Sequence, residues 1–79
     1  LLVLDEPSLG LQPSLVTELF DRLNEMRGEV SILVTEQNVR ASLRVTDRGY
    51  VLENGSIVMQ DAAESLKNDP HLVKSYLGL

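Results

Sequence analysis

The pattern of apolar and polar positions divides the chain into short segments, and the first of them is an unbroken apolar run. Residues 1–4 are all Leu or Val, and the run ends at Asp5 and Glu6, just before Pro7. A continuous run of this length is typical of a strand buried on both faces, in a parallel sheet with helices above and below. We therefore expect a buried strand with two acids at its carboxyl end.

The next segment has the spacing of an amphipathic helix. Pro13 suits the first turn of a helix, and Gly28 is a natural C-terminal stop. Between them the apolar residues recur every three or four positions and form one stripe, made of Leu15, Val16, Leu19, Phe20, Leu23 and Met26. This spacing predicts a helix over residues 14–27, with charged residues on the opposite face.

A second strand and a short helix follow. Residues 30–35 are mostly β-branched or apolar, which favours a second buried strand. Asn38 is a good N-cap for a helix that runs through Val45, and capping is a better interpretation of this side chain than contact with a ligand. Strand, helix and strand at this spacing form a βαβ unit, whose crossover is almost always right-handed.

The remaining segment predicts a hairpin and two helices. Residues 49–53 and 56–60 are strand-like and flank Asn54-Gly55, a dipeptide that strongly favours a two-residue hairpin turn. Beyond the hairpin we expect a short helix over residues 62–67, a break at Asp69-Pro70, and a last helix toward Tyr76. The fold class is therefore α/β, with parallel strands, flanking helices, a C-terminal hairpin and terminal helices.

Size and charge limit what the chain can do. It has 79 residues, enough for one small domain, and because it begins inside an apolar run we expect it to be part of a larger one. The net charge is −5, from 12 acids and 7 bases that are interleaved with them. Nucleic acid is not an expected partner, because binding it needs a basic patch. The absence of cysteine excludes disulfides and thiolate zinc sites.

The adjacent acids are the strongest candidates for chemistry. Open α/β sheets bind their ligands at the carboxyl ends of the strands, where Asp5 and Glu6 are expected. There Asp5 can hold Mg²⁺ through its water shell, since this cation prefers oxygen ligands. Glu6 can orient or deprotonate an attacking water. The alternative is an ordinary polar turn, in which Pro7 ends the strand and both acids are solvated.

Four segments, taken in order, resemble the second half of an ABC-type ATPase domain, a P-loop NTPase fold. Asp5-Glu6 at a strand end resembles the Walker B motif, and residues 7–13, Pro-Ser-Leu-Gly-Leu-Gln-Pro, resemble the D-loop. Residues 35–38, Thr-Glu-Gln-Asn, stand at the position of the switch loop, and residues 46–57 resemble the family's hairpin. Four matches in register are hard to obtain by chance. The resemblance implies that residues 1–79 are the C-terminal part of one nucleotide-binding domain.

Within the family, the chain is similar to the ATPase subunits of branched-chain amino acid importers and of the related urea and short-amide importers. The D-loop, the Glu-Gln-Asn switch and the ending over residues 68–78 carry this closer match. The resemblance implies ATP and Mg²⁺ as cofactors, Asp5 as the Mg²⁺ residue, Glu6 as the general base, and Gln37 as the residue that senses the γ-phosphate. It also implies a dimer contact through the D-loop residues Ser8, Leu9, Gly10, Leu11 and Gln12.

Two positions depart from the wider family pattern. The switch position usually holds His and here holds Gln37, and the D-loop usually ends in Asp where this chain has Gln12. A neutral amide can still donate a hydrogen bond to a phosphate oxygen or orient a water, but it cannot carry a positive charge near neutral pH. The alternative for Gln37 is that it only ends its strand.

The motifs that precede Walker B in this family are not in the sequence. There is neither a G-x-x-x-x-G-K-[ST] loop nor a Leu-Ser-Gly-Gly-Gln signature, so these residues alone should bind ATP poorly and hydrolyse none. For the complete subunit the resemblance implies a second ATPase subunit and membrane-spanning permease subunits as partners. It also implies a peripheral location at the cytoplasmic face of the inner membrane. In the sequence itself, no apolar run is long enough to span a bilayer.

Two other interpretations stay open. The lipopolysaccharide-export ATPase of the same branch shares the Asn-Val-Arg run of residues 38–40, but it keeps His where this chain has Gln37. In a different functional class, the chain is a non-catalytic dimerisation or scaffold module that retains the half-fold. The intact Asp5 and Glu6 argue against a scaffold, which has no need of two acids at a strand end.

Overall fold

The computed structural model describes residues 1–76, so Leu77 and Gly78 of the predicted C-terminal motif lie outside the described residues. Within this range the elements are β1 (Leu2–Asp5), α1 (Pro13–Met26), β2 (Ile32–Thr35), α2 (Val39–Val45), β3 (Arg48–Glu53), β4 (Ser56–Ala62), α3 (Ala63–Lys67) and α4 (Pro70–Tyr76). Each predicted element is present, with ends shifted by a residue or two. No described helix has the length and apolar character that crossing a membrane needs.

β1 and β2 form a parallel pair connected by α1, which confirms the predicted βαβ unit. The register runs from Leu2 opposite Ile32 to Asp5 opposite Thr35, so both strands end at the same edge of the sheet. The predicted cap of α2 is also present, because Asn38 Oδ1 accepts a hydrogen bond from the Ala41 N–H at 3.1 Å. These features place the ends of two strands and the start of one helix side by side.

The first core lies between this strand pair and helices α1 and α2. Its buried residues are Phe20, Leu23, Ala41 and Val45, and the strand residues packed against them include Leu2, Leu4 and Ile32. Side chains alternate along a strand, so Val3 and Leu33 face the other side, where they are 60% and 56% exposed. The expectation that the first strand is buried on both faces is therefore wrong for residues 1–76. Both helices pack on one face, and the other face stays largely open.

β3 and β4 pair antiparallel around the predicted Asn54-Gly55 turn. Both turn residues have positive φ, 51° and 79°, as a type I′ hairpin turn requires. Next to this hairpin lies a second core, made of Leu43, Ala63, Leu66 and Leu72. Helix α2 contributes to both cores, since its Val45 belongs to the first and its Leu43 to the second. It therefore joins the parallel pair to the hairpin and the helices that follow it.

Candidate functional site

The carboxyl ends of β1 and β2 meet at one edge of the sheet, as the sequence predicts. Asp5 is opposite Thr35 in the register, and the Thr35 hydroxyl donates to Asp5 Oδ1 at 2.5 Å. The same hydroxyl accepts the Glu6 N–H at 3.2 Å. Thr35 therefore bonds to the carboxylate of Asp5 and to the main chain of Glu6 from the neighbouring strand.

Glu6 has a backbone conformation that is uncommon for a residue with a side chain. Its φ is 45°, in the left-handed region, which costs about 1–2 kcal/mol for a residue other than glycine. The turn is held by main-chain bonds: the Glu6 N–H donates to the Thr35 carbonyl at 2.8 Å, and the Glu6 carbonyl accepts from the Leu9 N–H at 3.1 Å. Such strain persists only where the surroundings impose it, and it clusters at functional sites.

The Asp5 carboxylate is exposed at this edge and retains an open acceptor. Among residues 1–76, its only hydrogen bond is the one from Thr35 to Oδ1. The described residues contain no group of three or more His, Cys, Asp or Glu placed to hold a metal ion together. Mg²⁺ is usually bound through one or two carboxylates together with waters and substrate phosphates rather than by an all-protein cage. One exposed carboxylate with a free oxygen fits that mode of binding.

Gln37 lies just beyond the end of β2, with an exposed side chain. Its main-chain N–H donates to Glu36 Oε1 at 3.2 Å, whereas its side-chain amide makes no hydrogen bond to another described residue. The next residue, Asn38, caps α2. The side chain of Asn38 is thus engaged in capping α2, whereas the side chain of Gln37 is available for a ligand at the sheet edge.

The loop between β1 and α1 carries the predicted D-loop residues and has an exposed tip. Leu9 is 73% exposed, and the next residue, Gly10, has a φ of 80° that favours glycine. Leu11 is also exposed, and its N–H donates to the Ser8 carbonyl at 3.0 Å. Gln12 occupies the N-cap position of α1 without capping it through its side chain. An apolar tip held in a defined turn is suited to contact another surface.

Glu36 is a residue of this edge that the sequence did not single out. Its carboxylate accepts hydrogen bonds from Ser8 in the β1–α1 loop and from the N–H groups of Gln37 and Asn38. It therefore ties together the two loops that carry the predicted site. Its signal in the sequence is an acid at a strand end, within the segment of residues 35–38 that resembles the switch loop. That signal does not reveal which residues the acid contacts.

Curated relatives match nearly the whole chain, although no protein-family model matches it. A high-affinity branched-chain amino acid transport ATP-binding protein of Pseudomonas aeruginosa is 46% identical over 79 residues, which cover 99% of this chain and 34% of that protein. A probable branched-chain amino acid transport ATP-binding protein of Archaeoglobus fulgidus is 37% identical, over 99% of this chain and 31% of the relative. A lipopolysaccharide export system ATP-binding protein of Acidithiobacillus ferridurans is 31% identical, over 98% and 32%.

These matches confirm the family resemblance that the sequence motifs predict. They run along nearly the whole chain, and the more similar relatives are ATP-binding proteins of branched-chain amino acid transport. The chain spans about a third of the length of the relatives it matches.

Proposed function

We propose that this chain, related to the branched-chain amino acid transport ATP-binding proteins, is the C-terminal part of the nucleotide-binding domain of such a subunit. The complete subunit would hydrolyse ATP to energise uptake of branched-chain amino acids. The observation that carries the proposal is the sheet edge where Asp5 lies opposite Thr35 and Glu6 is held in a left-handed conformation, with Gln37 following two residues after Thr35. The identity to relatives with these names supports it along the whole chain.

Asp5 is assigned to the Mg²⁺ that accompanies ATP. Its carboxylate is exposed, and Thr35 fixes one of its oxygens and leaves the other open toward the edge. Magnesium bound with ATP neutralises charge on the phosphate oxygens. The part played by this chain is to orient a carboxylate that accepts hydrogen bonds from the waters of the metal.

Glu6 is assigned as the general base. It is half-buried and follows the last residue of β1, and its strained backbone is fixed by bonds to Thr35 and Leu9. A general base must keep its carboxylate within hydrogen-bond reach of the attacking water, and a fixed turn keeps the backbone of Glu6 in one position. The proton of the attacking water would pass to the Glu6 carboxylate as the water oxygen bonds to the γ-phosphorus. The bond from that phosphorus to the β–γ bridging oxygen would break in the same step, so that ADP leaves and phosphate is formed.

Gln37 is assigned to the γ-phosphate. Its side-chain amide is exposed and has no hydrogen-bond partner among residues 1–76, so it can donate to a phosphate oxygen. Because an amide does not titrate near neutral pH, this contact should be insensitive to pH between about 6 and 8.

The proposed partners are a second ATP-binding subunit and membrane-spanning permease subunits. The exposed tip of the β1–α1 loop, with Leu9 and Leu11, is assigned to the contact with the second ATP-binding subunit. The complete assembly would lie at the cytoplasmic face of the inner membrane, with this subunit bound peripherally.

Uptake by cells tests this function. In cells whose only copy of the complete subunit carries Glu6→Gln, uptake of labelled leucine should fall to the level of a gene deletion, while the subunit is still produced. Glu25→Gln is the matched control, because the Glu25 side chain is exposed on α1 and makes no hydrogen bond or ion pair within residues 1–76. Full uptake with Glu6→Gln would remove Glu6 from its role.

Lipopolysaccharide export is the second candidate, because one matched relative carries that name. Its identity of 31% is well below the 46% of the branched-chain relative, and the switch residue Gln37 is not the His of that branch. A deletion that stops lipopolysaccharide export and leaves leucine uptake intact would select this candidate instead. If the subunit instead serves urea or short-amide import, its deletion would abolish the uptake of those substrates alone.

A further inference from the structure

We propose that Glu36 is a positioning residue, which fixes the loop after β1 to the loop after β2 so that Glu6 and Gln37 keep one mutual arrangement. The proposal rests on the proposed function, in which those two residues act on the same phosphate. Nothing in the chemistry of the reaction requires a carboxylate at this position, so the role follows from contacts alone.

The Glu36 carboxylate accepts hydrogen bonds at both of its oxygens. Oε1 accepts the Ser8 hydroxyl at 2.6 Å, the Gln37 N–H at 3.2 Å and the Asn38 N–H at 3.4 Å. Oε2 accepts the Ser8 N–H at 3.1 Å. The bond from the hydroxyl has the length of a charge-assisted O–H···O⁻ bond, which is stronger than one between neutral groups.

These bonds connect segments that are far apart in sequence. Ser8 and Glu36 are 28 positions apart, and both are partly buried, so water screens the contact less than on an open surface. Ser8 uses both its main-chain N–H and its hydroxyl, which fixes the loop in orientation as well as in distance. One carboxylate thus holds a loop that a single bond would leave free to rotate.

The contact between Ser8 and Glu36 completes a ring of hydrogen bonds and main-chain segments around Glu6. The Glu6 N–H donates to the Thr35 carbonyl at 2.8 Å. Two residues later, the Ser8 N–H donates to the carboxylate of Glu36, which is the residue after Thr35. A residue before proline favours extended backbone, so the left-handed φ of Glu6 before Pro7 needs such support. Loosening the ring would let Glu6 leave the position from which it acts.

The test substitutes Glu36→Gln in the complete subunit. The side chain keeps its size but loses its charge, and an NH₂ group replaces one of the two oxygens, so at least one donor at Ser8, Gln37 or Asn38 loses its acceptor. We expect faster hydrogen exchange at these amides. We also expect kcat for ATP hydrolysis to fall about 10- to 100-fold with KM changed by less than about twofold, as misplacement of a catalytic group predicts. Glu25→Gln should change neither quantity.

Ser8→Ala, alone and combined with Glu36→Gln, provides two further variants for this test. Ser8→Ala removes only the hydroxyl bond, so kcat should fall by less than with Glu36→Gln, and the effects of the two changes should not add, because both act on one contact. Exchange of core amides in α1, such as those of Phe20 and Leu23, should stay as in the wild type. If Glu36→Gln does not fold, Ser8→Ala alone decides, and an unchanged kcat would overturn the proposal.

The outcomes separate this proposal from the proposed function. Unchanged exchange at Ser8, Gln37 and Asn38 in Glu36→Gln would show that Glu36 does not fix the loops. Faster exchange with an unchanged kcat would show that fixing them does not matter for hydrolysis, and either result overturns the inference. A wild-type subunit that hydrolyses no ATP would instead overturn the proposed function, and the exchange rates would still show whether Glu36 holds the two loops together.

Discussion

Gly49 offers a sharp test of how the hairpin packs on the helices after it. A Cβ at this position would lie 2.6 Å from Leu66 Cδ1 and 3.8 Å from Leu43 Cδ2. Carbon atoms pack best at about 3.5–4.0 Å, so the first contact overlaps by about 1 Å. Leu66 is only 2% exposed and Leu43 is also buried, so the Leu66 methyl group has to move among other buried side chains. Overpacking of this kind costs about 1–3 kcal/mol.

Thermal unfolding of the complete subunit measures the effect of Gly49→Ala. A loss of about 2 kcal/mol lowers Tm by about 4–8 °C in a domain of about 150–250 residues. Gly28→Ala is the matched control, because no atom lies within 4 Å of its added Cβ and its φ is not in the left-handed region. That change should be neutral or stabilise by up to about 1 kcal/mol. If both variants unfold at the wild-type temperature, the packing of Leu66 against Gly49 is not as described.

Two further predictions follow from single side chains. Asn38→Ala removes the acceptor of the Ala41 N–H and should destabilise the complete subunit by about 1 kcal/mol, measured as a lower midpoint of urea unfolding; an unchanged midpoint would show that the cap contributes nothing. Gln37→His introduces an imidazole with an ordinary pKa of about 6.5, so the ratio of its hydrolysis rate to that of the wild type should rise as the pH falls from about 8 to 6. A ratio independent of pH would contradict the contact of this side chain with the γ-phosphate.

The elements of the fold could be predicted because their signals are local. The stripe from Leu15 to Met26 places α1, Asn38 caps α2, and Asn54-Gly55 sets the hairpin turn. Each of these rests on residues within a few positions of one another, so the sequence contains the whole cause. The edge with Asp5 and Glu6 was predictable for a different reason, since two parallel strands joined by a helix bring their carboxyl ends to the same edge of the sheet.

What the sequence did not reveal depends on contacts between distant segments. Val3 and Leu33 are apolar but exposed, because burial of the second sheet face depends on which elements lie beside it and not on the strand itself. Glu36 looks like any acid at a strand end, and its bonds to Ser8 arise only when loops 28 positions apart meet. The left-handed φ of Glu6 is likewise a product of that meeting, since neither Glu nor a following Pro favours it.

ATP hydrolysis and ATP binding by the purified complete subunit, compared between wild type and Glu6→Gln, test the central claim most directly. The account predicts that Glu6→Gln lowers kcat by at least about 100-fold, as expected for loss of a general base, while the Kd for ATP stays within about twofold of the wild type. A variant that hydrolyses ATP at a rate close to the wild type would show that the acid at the end of β1 is not the base, and would contradict the account.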